Sequence, residues 1–311
     1  MTSARRRGVR VIWNAKAGTK AGVPTNGTSE ETLRDVLARH GLPDDIVTTN
    51  TEEEAREATR AAVAGGCEVV VAAGGDGTAG LIGRELLGGD VALGILPLGS
   101  AMNIARAVGI PRDLDEAAAI LATGEVRRID VGRVNGDVFF EAVSLGLSAA
   151  LFAEAQAFDK GHYGSFLRLL AVLARHRPVR VRLDLDGRIV PVRALALTIA
   201  NGPYTGLGLT LAPDARLDDG LLDIRIHRSF SKTELLLHFW SIAFGRRAYH
   251  PRIETHRAAR VVVTGRPCAV RADGEDGGEL PLEISIERAA LPVVVGPGLG
   301  NGSKRATPPA V

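Results

Sequence analysis

Cysteine is scarce: Cys67 and Cys268 lie far apart in apolar or strand-like surroundings. That excludes a disulfide framework and offers no metal-ligand spacing, so both thiols are expected to be reduced and buried. Lysine is nearly absent: apart from Lys16, Lys20, Lys160, Lys232 and Lys304, every basic side chain of this type is an arginine. With the abundance of Ala and Gly, this reads as a genomic composition bias. Charge of either sign is not in excess, the net value being +2, so there is no electrostatic case for nucleic acid as a partner. No run of about 18 apolar residues is present, and nothing is expected to span a membrane. The opening Met1-Thr-Ser-Ala-Arg-Arg-Arg7 lacks the apolar segment of a signal peptide. These absences lead to the expectation of a cytosolic protein. No Ser-His-Asp constellation is visible, no glycine loop closes on Lys-Ser or Lys-Thr, and the histidines show no ligand spacing.

What is present is ordinary for a globular chain, at 45% hydrophobic and 24% charged residues, and 311 residues suit two domains. The first part alternates strand and helix: strand Val9 to Trp13, helix Glu30 to His40, strand Asp45 to Thr49, helix Glu52 to Ala64, strand Glu68 to Ala73, helix Leu81 to Leu87, strand Val91 to Leu96, helices Ala101 to Val108 and Leu114 to Thr123. Such an order calls for a doubly wound parallel sheet with helices on both faces. After Val126 the texture becomes antiparallel. Val126 to Val134 and Val138 to Leu147 flank Asn135-Gly136, and Val179 to Asp186 turns through Asp186-Gly187 into Ile189 to Ala200, both hairpin signals. Shorter strands recur to Glu287, interrupted by helical stretches at Ser148 to Arg175 and Lys232 to Phe244. The expected organisation is an α/β domain over 1–129, completed by a segment near 290–300, an all-β antiparallel sandwich over 130–289, and a disordered tail over 300–311.

The run Val69 to Thr78 reads Val-Val-Val-Ala-Ala-Gly-Gly-Asp-Gly-Thr. A buried strand, a glycine turn at Gly74, Gly75 and Gly77, and a helix start place backbone N–H groups and a helix dipole at one spot, which suits phosphate. Asp76 inside that spot would repel a bare phosphate, and it makes sense if a divalent cation lies between them. The plainer reading is a glycine turn in a βα unit with Asp76 or Thr78 as helix cap. Asn14-Ala-Lys16 leaves the first strand and Pro97-Leu-Gly99-Ser100 leaves the fourth, both at the carboxyl edge where open α/β sheets bind ligands. Asn14 and Lys16 could contact phosphate, or the segment is an ordinary exit loop. Gly99 and Ser100, with Asn103 opening a helix, add a third side to a possible pocket.

Three acidic loops follow, each with two readings. Asp273-Gly-Glu275 is a hairpin turn, or a carboxylate acting as general base on a substrate hydroxyl. Asp218-Asp219-Gly220 is a type I turn or a metal-binding loop. Asp130 is a strand-end charge or a site carboxylate. The stretch Phe152 to Arg177, with Phe158, Tyr163, Phe166, Leu169 and Leu170 among basic residues, is an interfacial amphipathic helix or a packing helix.

Taken in order, Asn14-Ala-Lys-Ala-Gly18, Gly74-Gly-Asp-Gly-Thr78, Pro97-Leu-Gly-Ser-Ala-Met-Asn-Ile-Ala-Arg106, Asp130-Val-Gly132, Leu217-Asp-Asp-Gly-Leu-Leu-Asp223 and Asp273-Gly-Glu275 resemble the diacylglycerol kinase catalytic-domain family. The glycine-rich motif alone is shared with NAD kinases; the later acidic motifs point to the lipid kinase branch. The resemblance implies a nucleotide-binding α/β domain, a β-sandwich domain and an active site in the cleft between them, with ATP and Mg²⁺ as cofactors and a lipid substrate met at a membrane surface. It gives Gly74 to Thr78 the ATP phosphates, Asp76 the Mg²⁺, and Glu275 the role of general base, with Asp273 in the same motif. Asp219, with the backbone carbonyls of Arg216 and Leu221, matches a second, structural metal site. The family usually reads Asn-Asp where this chain has Met102-Asn103, and often Asn-Glu where it has Gly80-Leu81. A soluble-substrate enzyme of the NAD kinase type and a non-catalytic lipid- or nucleotide-binding relative are the alternatives. Edge pairing of exposed strands allows a homodimer.

Overall fold

The computed structural model describes residues 8–15, 19–20, 23–24, 28–151, 177–206, 208–228, 233 and 253–297. Lys16, the helical expectations over 152–176 and 232–244, and the tail from 300 lie outside the described residues. Two compact units are present: Met1–Ala17, Asn26–Arg128 and Leu291–Val311 in the first, Gly18–Thr25 and Ile129–Ala290 in the second.

Unit 1 holds strands β1 (Val9–Asn14), β2 (Ile46–Thr49), β3 (Val69–Gly74) and β4 (Ala92–Pro97), with helices α1 (Glu30–Arg39), α2 (Glu52–Ala64), α3 (Asp76–Leu86), α4 (Asn103–Ala107) and α5 (Leu114–Thr123). The strands are parallel in the order β4-β3-β1-β2, with Val69 opposite both Val9 and Ala92. Every residue of β3 and β4 is buried, as expected of central parallel strands covered on both faces. Helix α1 packs against α5, and α2 against α3. At Gly94 the sheet admits α5 so closely that a Cβ would lie 2.6 Å from Leu121 Cδ1. Helices α1, α2 and α5 begin at Ser29, Thr51 and Asp113, each of whose side chains accepts from a first-turn N–H, a cap that satisfies one of the orphan donors there.

Unit 2 is antiparallel. Its strands are β5 (Glu125–Val134), β6 (Asp137–Phe139), β7 (Ala142–Gly146), β8 (Val179–Leu185), β9 (Arg188–Ala194), β10 (Ala196–Ala200), β11 (Leu222–His227), β12 (Ile253–Ala258), β13 (Arg260–Gly265), β14 (Val270–Ala272), β15 (Glu275–Asp276) and β16 (Leu282–Val295), besides two hairpins of two-residue strands. One sheet runs β9-β8-β13-β16, with β5 pairing β16 and β6; the other runs β12-β11-β10-β7-β14-β15. Leu183, Val261 and Ile284 from the first share one core with Leu145, Leu197 and Ile224 from the second. The alternation of β8, buried at Val179, Val181, Leu183 and Leu185 and open at Arg180 and Arg182, follows from that one-sided burial. Strand β16 starts in unit 2 beside β13 and ends in unit 1, where Val293 pairs in parallel with Leu93.

The Asn135-Gly136 and Asp186-Gly187 hairpins have positive φ at both central residues, 50° and 93°, then 51° and 91°, the primed turns that their sequences favour. The strand expected from Val138 to Leu147 is broken at Phe140 and Glu141, because the N–H groups of both are taken by the Asp273 carboxylate. Helix α3 starts at Asp76, five residues before the expected Leu81. Both cysteines are partly rather than fully buried, and both are free.

Asp130-Val-Gly132 has a packing explanation. Asp130 is 4% exposed; its carboxylate accepts from the N–H groups of Gly220 (2.6 Å) and Ala289 (2.8 Å), joining three distant segments. A Cβ on Gly132 would lie 2.2 Å from the ring of Phe139, which is fully buried. Gly132→Val is therefore expected to lower stability by about 2 kcal/mol or more through overpacking. Gly136→Ala, whose Cβ meets nothing within 4 Å, should lose only about 1 kcal/mol from its left-handed φ. Urea denaturation of the two variants checks the order; equal losses would remove the packing explanation.

Candidate functional site

Strands β1, β3 and β4 are neighbours and all end at the same edge of the sheet, so the residues that follow each of them meet. The Asn14 side-chain amide donates to Thr78 Oγ1 at 3.3 Å. The Leu98 N–H donates to the Gly74 carbonyl at 3.0 Å. Gly75 and Gly99 touch backbone to backbone: a Cβ on Gly99 would lie 2.5 Å from Gly75 Cα, and one on Gly74 would lie 2.5 Å from Thr78 Oγ1. Gly99 is required because two chain segments approach to a distance that no side chain allows, and Gly74 because its own turn folds Thr78 onto it. Gly77 is different. Its Cβ would meet nothing within 4 Å, so protein packing does not account for a glycine in the first turn of α3, where alanine would favour the helix.

Helix α3 also differs from α1, α2 and α5 at its start. Gly75 stands at its cap position and no side chain accepts from its first turn. The N-terminus of this eleven-residue helix, at the strand edge and beside open space at Gly77, thus has free N–H groups and a positive dipole end, the features that favour an anion.

Asp76 points its carboxylate away from its own helix. Oδ1 accepts from the Ile104 N–H at 2.9 Å, and the N–H groups of Met102 and Asn103 also bond it. It thus caps α4, whose preceding residue Met102 is held left-handed at φ 56° and receives the Gly99 N–H on Sδ at 3.2 Å. Burial pushes the Asp76 carboxyl above its usual range, opposed by those three N–H groups and by Arg106. Asn103 is 1% exposed, and it is its N–H that reaches Asp76. Ser100 is exposed at the loop tip; its carbonyl and that of Gly99 accept from the Arg112 guanidinium. Sequence reasoning missed Arg112, which follows the motif by several residues and carries no local signal, and it gave no role to Arg106.

The acidic loops lie in unit 2. Asp273-Gly274 forms another turn with both φ positive, at 48° and 82°, and places Glu275 opposite Ala272. Asp273 itself faces back into its own sheet: its two oxygens accept from Phe140 (2.6 Å), Glu141 (2.8 Å) and Ala142 (3.2 Å). The Glu275 side chain is exposed and forms no hydrogen bond or ion pair among the described residues. Within this motif Asp273 holds the turn, while the Glu275 carboxylate is unpaired among the described residues.

At the Asp218-Asp219-Gly220 loop, Asp219 Oδ1 accepts from the Leu221 N–H at 3.1 Å, and Oδ2 lies 3.8 Å from the Arg257 guanidinium. Arg257 also reaches Asp223 at 3.3 Å and the Asp214 carbonyl at 3.0 Å, while Arg216 pairs with Asp218. Burial raises the Asp223 carboxyl, and Arg257 and Arg225 pull it back. The Asp219 carboxylate is directed to the Leu221 N–H and the Arg257 guanidinium, so a divalent ion held by Asp219 with the Arg216 and Leu221 carbonyls would have to displace Arg257.

At Asp76 the fit is better. A carboxylate offers about four lone-pair directions, and three N–H groups leave one for a cation. Mg²⁺ binds through one or two carboxylates plus phosphate oxygens and water, so Asp76 suits an ion that arrives with a nucleotide. Among the described residues no group of three or more His, Cys, Asp or Glu side chains could hold a metal unaided.

Residues 8–134 match the family described as "Diacylglycerol kinase catalytic domain", and 141–295 match the "YegS C-terminal NAD kinase beta sandwich-like domain". A diacylglycerol kinase of Mycobacterium tuberculosis (strain ATCC 25618 / H37Rv) is 36% identical over 250 residues, covering 78% of this chain and 81% of that protein. The chain belongs to the diacylglycerol kinase family. A Bacillus subtilis (strain 168) family member is 29% identical over 287 residues, covering 88% and 92% of the two chains. A crystal structure of a diacylglycerol kinase from Bacillus anthracis str. Sterne has the same fold, with a TM-score of 0.73 at 20% identity, covering 96% of this chain and all of that one.

Asp76 yields a pH test. Its folded carboxyl titrates above the usual value of 3.8, so the unfolded chain releases this proton first. The stability contribution is then complete below that value and declines as pH rises through the folded one. Asp76→Asn keeps an oxygen for Ile104 and removes the buried charge. It should melt at or above the wild-type temperature at pH 7, the gap closing toward pH 4. Asp76→Ala, which loses the cap, should lose about 1 kcal/mol. Thermal melts across that range check both, and a large loss in the Asn variant at pH 7 would count against a burial penalty.

Proposed function

We propose that this chain is an ATP-dependent lipid kinase that transfers the γ-phosphoryl group of ATP to the hydroxyl of a diacylglycerol-like lipid. The observation that carries the nucleotide site is the uncapped start of α3 beside the open space at Gly77, framed by the Gly75–Gly99 contact. Here the N–H groups of Gly75 to Thr78 cradle the phosphates, and Asn14 holds Thr78 in place. Lys16, Gly99, Ser100 and Asn103 complete this reading, Lys16 on its motif alone. Asp76 would hold Mg²⁺ against the nucleotide, and that ion supplies charge stabilisation to the transferring group.

Glu275 is assigned the general base on its motif and its exposed, unpaired carboxylate. It takes the proton of the lipid hydroxyl as that oxygen bonds to the γ-phosphorus; the bond from phosphorus to the β-phosphate oxygen breaks, and ADP departs. Asp273 is a positioning residue that fixes the turn on which Glu275 stands. A diacylglycerol-like substrate resides in a bilayer, so a peripheral mode of membrane contact is part of this proposal.

The test is labelled ATP with Mg²⁺ and diacylglycerol in neutral-detergent micelles. Label should enter the organic phase, and transfer to NAD instead would favour the NAD kinase alternative. Glu275→Gln and Asp76→Asn should each reduce kcat by roughly 10²–10⁴-fold; near-normal turnover in either removes that residue from the mechanism. Gly77→Ala is expected to fold with equal or greater stability yet raise KM for ATP, because its methyl group enters the space reserved for phosphate. An unchanged KM would dissociate Gly77 from the nucleotide.

A further inference from the structure

The outer face of β8 and β9 in unit 2 carries charge that nothing among the described residues compensates. Arg180 and Arg193 are directly opposite in the antiparallel register, both exposed. Like charges so placed repel across about 5 Å and destabilise the pair of strands. Arg182 projects on the same face, and Arg177 and Arg266 flank it; none of these five arginines forms an ion pair or side-chain hydrogen bond among the described residues. Arg228, at one side, is already paired with Glu254. Arg177, Arg180, Arg193 and Arg266 surround a concavity of about 610 Å³ floored by Val179 and Pro267. A second one of about 490 Å³ shares three of these arginines and adds Arg182 and Pro191.

We propose that this arginine face docks on the phosphate headgroups of an anionic bilayer. Guanidinium groups bind phosphate in bidentate fashion and are weakly hydrated, which suits a surface contact. With a net charge of only +2 on the whole chain, this concentration is local. Neither concavity has an aromatic side chain in its lining, so the stacking platform of single-stranded nucleic acid sites is lacking. Ile189, 49% exposed, shares the face with Pro191 and Arg193 by the two-residue period of β9. Thus an apolar side chain stands beside the cations at the level where lipid headgroups give way to chains. Asp184 lies at the Ile189 end, its carboxylate engaged by the Gly187 N–H. The choice of a bilayer over other anions rests on the lipid kinase reading, whereas the uncompensated charge does not.

The experiment is flotation of the full chain with phosphatidylcholine vesicles, with and without phosphatidylglycerol, in the absence of ATP. Binding is expected only to the anionic vesicles and should weaken with added salt. The double variant Arg180→Gln, Arg193→Gln should bind roughly tenfold or more weakly. It should melt no lower than wild type, because a repulsive pair is gone, and keep its turnover on micellar diacylglycerol. Equal vesicle binding by wild type and variant, or equal binding to neutral vesicles, would overturn the proposal. So would displacement by micromolar glycerol phosphate, which would make the face a small-anion site, or tighter binding to a single-stranded oligonucleotide than to vesicles. Charge-dependent flotation without micellar kinase activity would sink the kinase reading while leaving the docking face standing; micellar activity without charge-dependent flotation does the reverse.

Discussion

Unit 1 depends on the contact between two glycines. Gly99 comes so close to Gly75 that a Cβ on Gly99 would lie 2.5 Å from Gly75 Cα, and that approach lets the carboxylate of Asp76 reach across to the start of α4. A side chain at Gly99 would push the two strand exits apart, uncap α4 and free Met102 from its left-handed conformation. The N-terminus of α3 keeps its own donors because Asp76 serves a different helix. One acid thus stabilises one helix start by leaving another unsatisfied, and the unsatisfied one is where an anion gains most.

Unit 2 uses a similar device at several places. Asp130, Asp186 and Asp273 each direct a carboxylate to backbone N–H groups far along the chain: Asp130 to Gly220 and Ala289, Asp186 to Ala259 and Arg260, Asp273 to Phe140 through Ala142. Charge-assisted bonds of this kind are stronger than neutral ones and fix loop positions without a large apolar contact. Arg257, reaching both Asp219 and Asp223, adds an ion pair to the same loop region.

Much of this was legible in the sequence. The β-branched run before Gly74, the Asn-Gly and Asp-Gly turns and the strand–helix alternation are local signals, and each appears in the fold. Helix α3 was placed too late because Asp-Gly-Thr-Ala-Gly is a poor helix former by propensity, and tertiary context overrode that preference. The break between β6 and β7 could not be read from Val138 to Leu147, since its cause is Asp273, 133 residues away from Phe140. The pairing of Asp219 with Arg257 is equally non-local. The meeting of Asn14, Thr78, Gly75 and Gly99 was legible because three strand exits follow one rule of sheet topology, whereas Arg112 obeys no such rule.

Strand β16 joins both units with one stretch of chain, antiparallel to β13 at its start and parallel to β4 at its end. Unit 1 is therefore not complete when its first 128 residues have been made. Until the segment Leu291–Val295 emerges, β4 presents a fully apolar edge with unpaired backbone groups, the kind of edge that recruits other strands. Synthesis of the second unit must finish before the first can close. A gene fragment ending at the apparent boundary near Arg128 would encode a sheet that lacks its last strand, so in this fold the order of translation and the order of completion run in opposite directions.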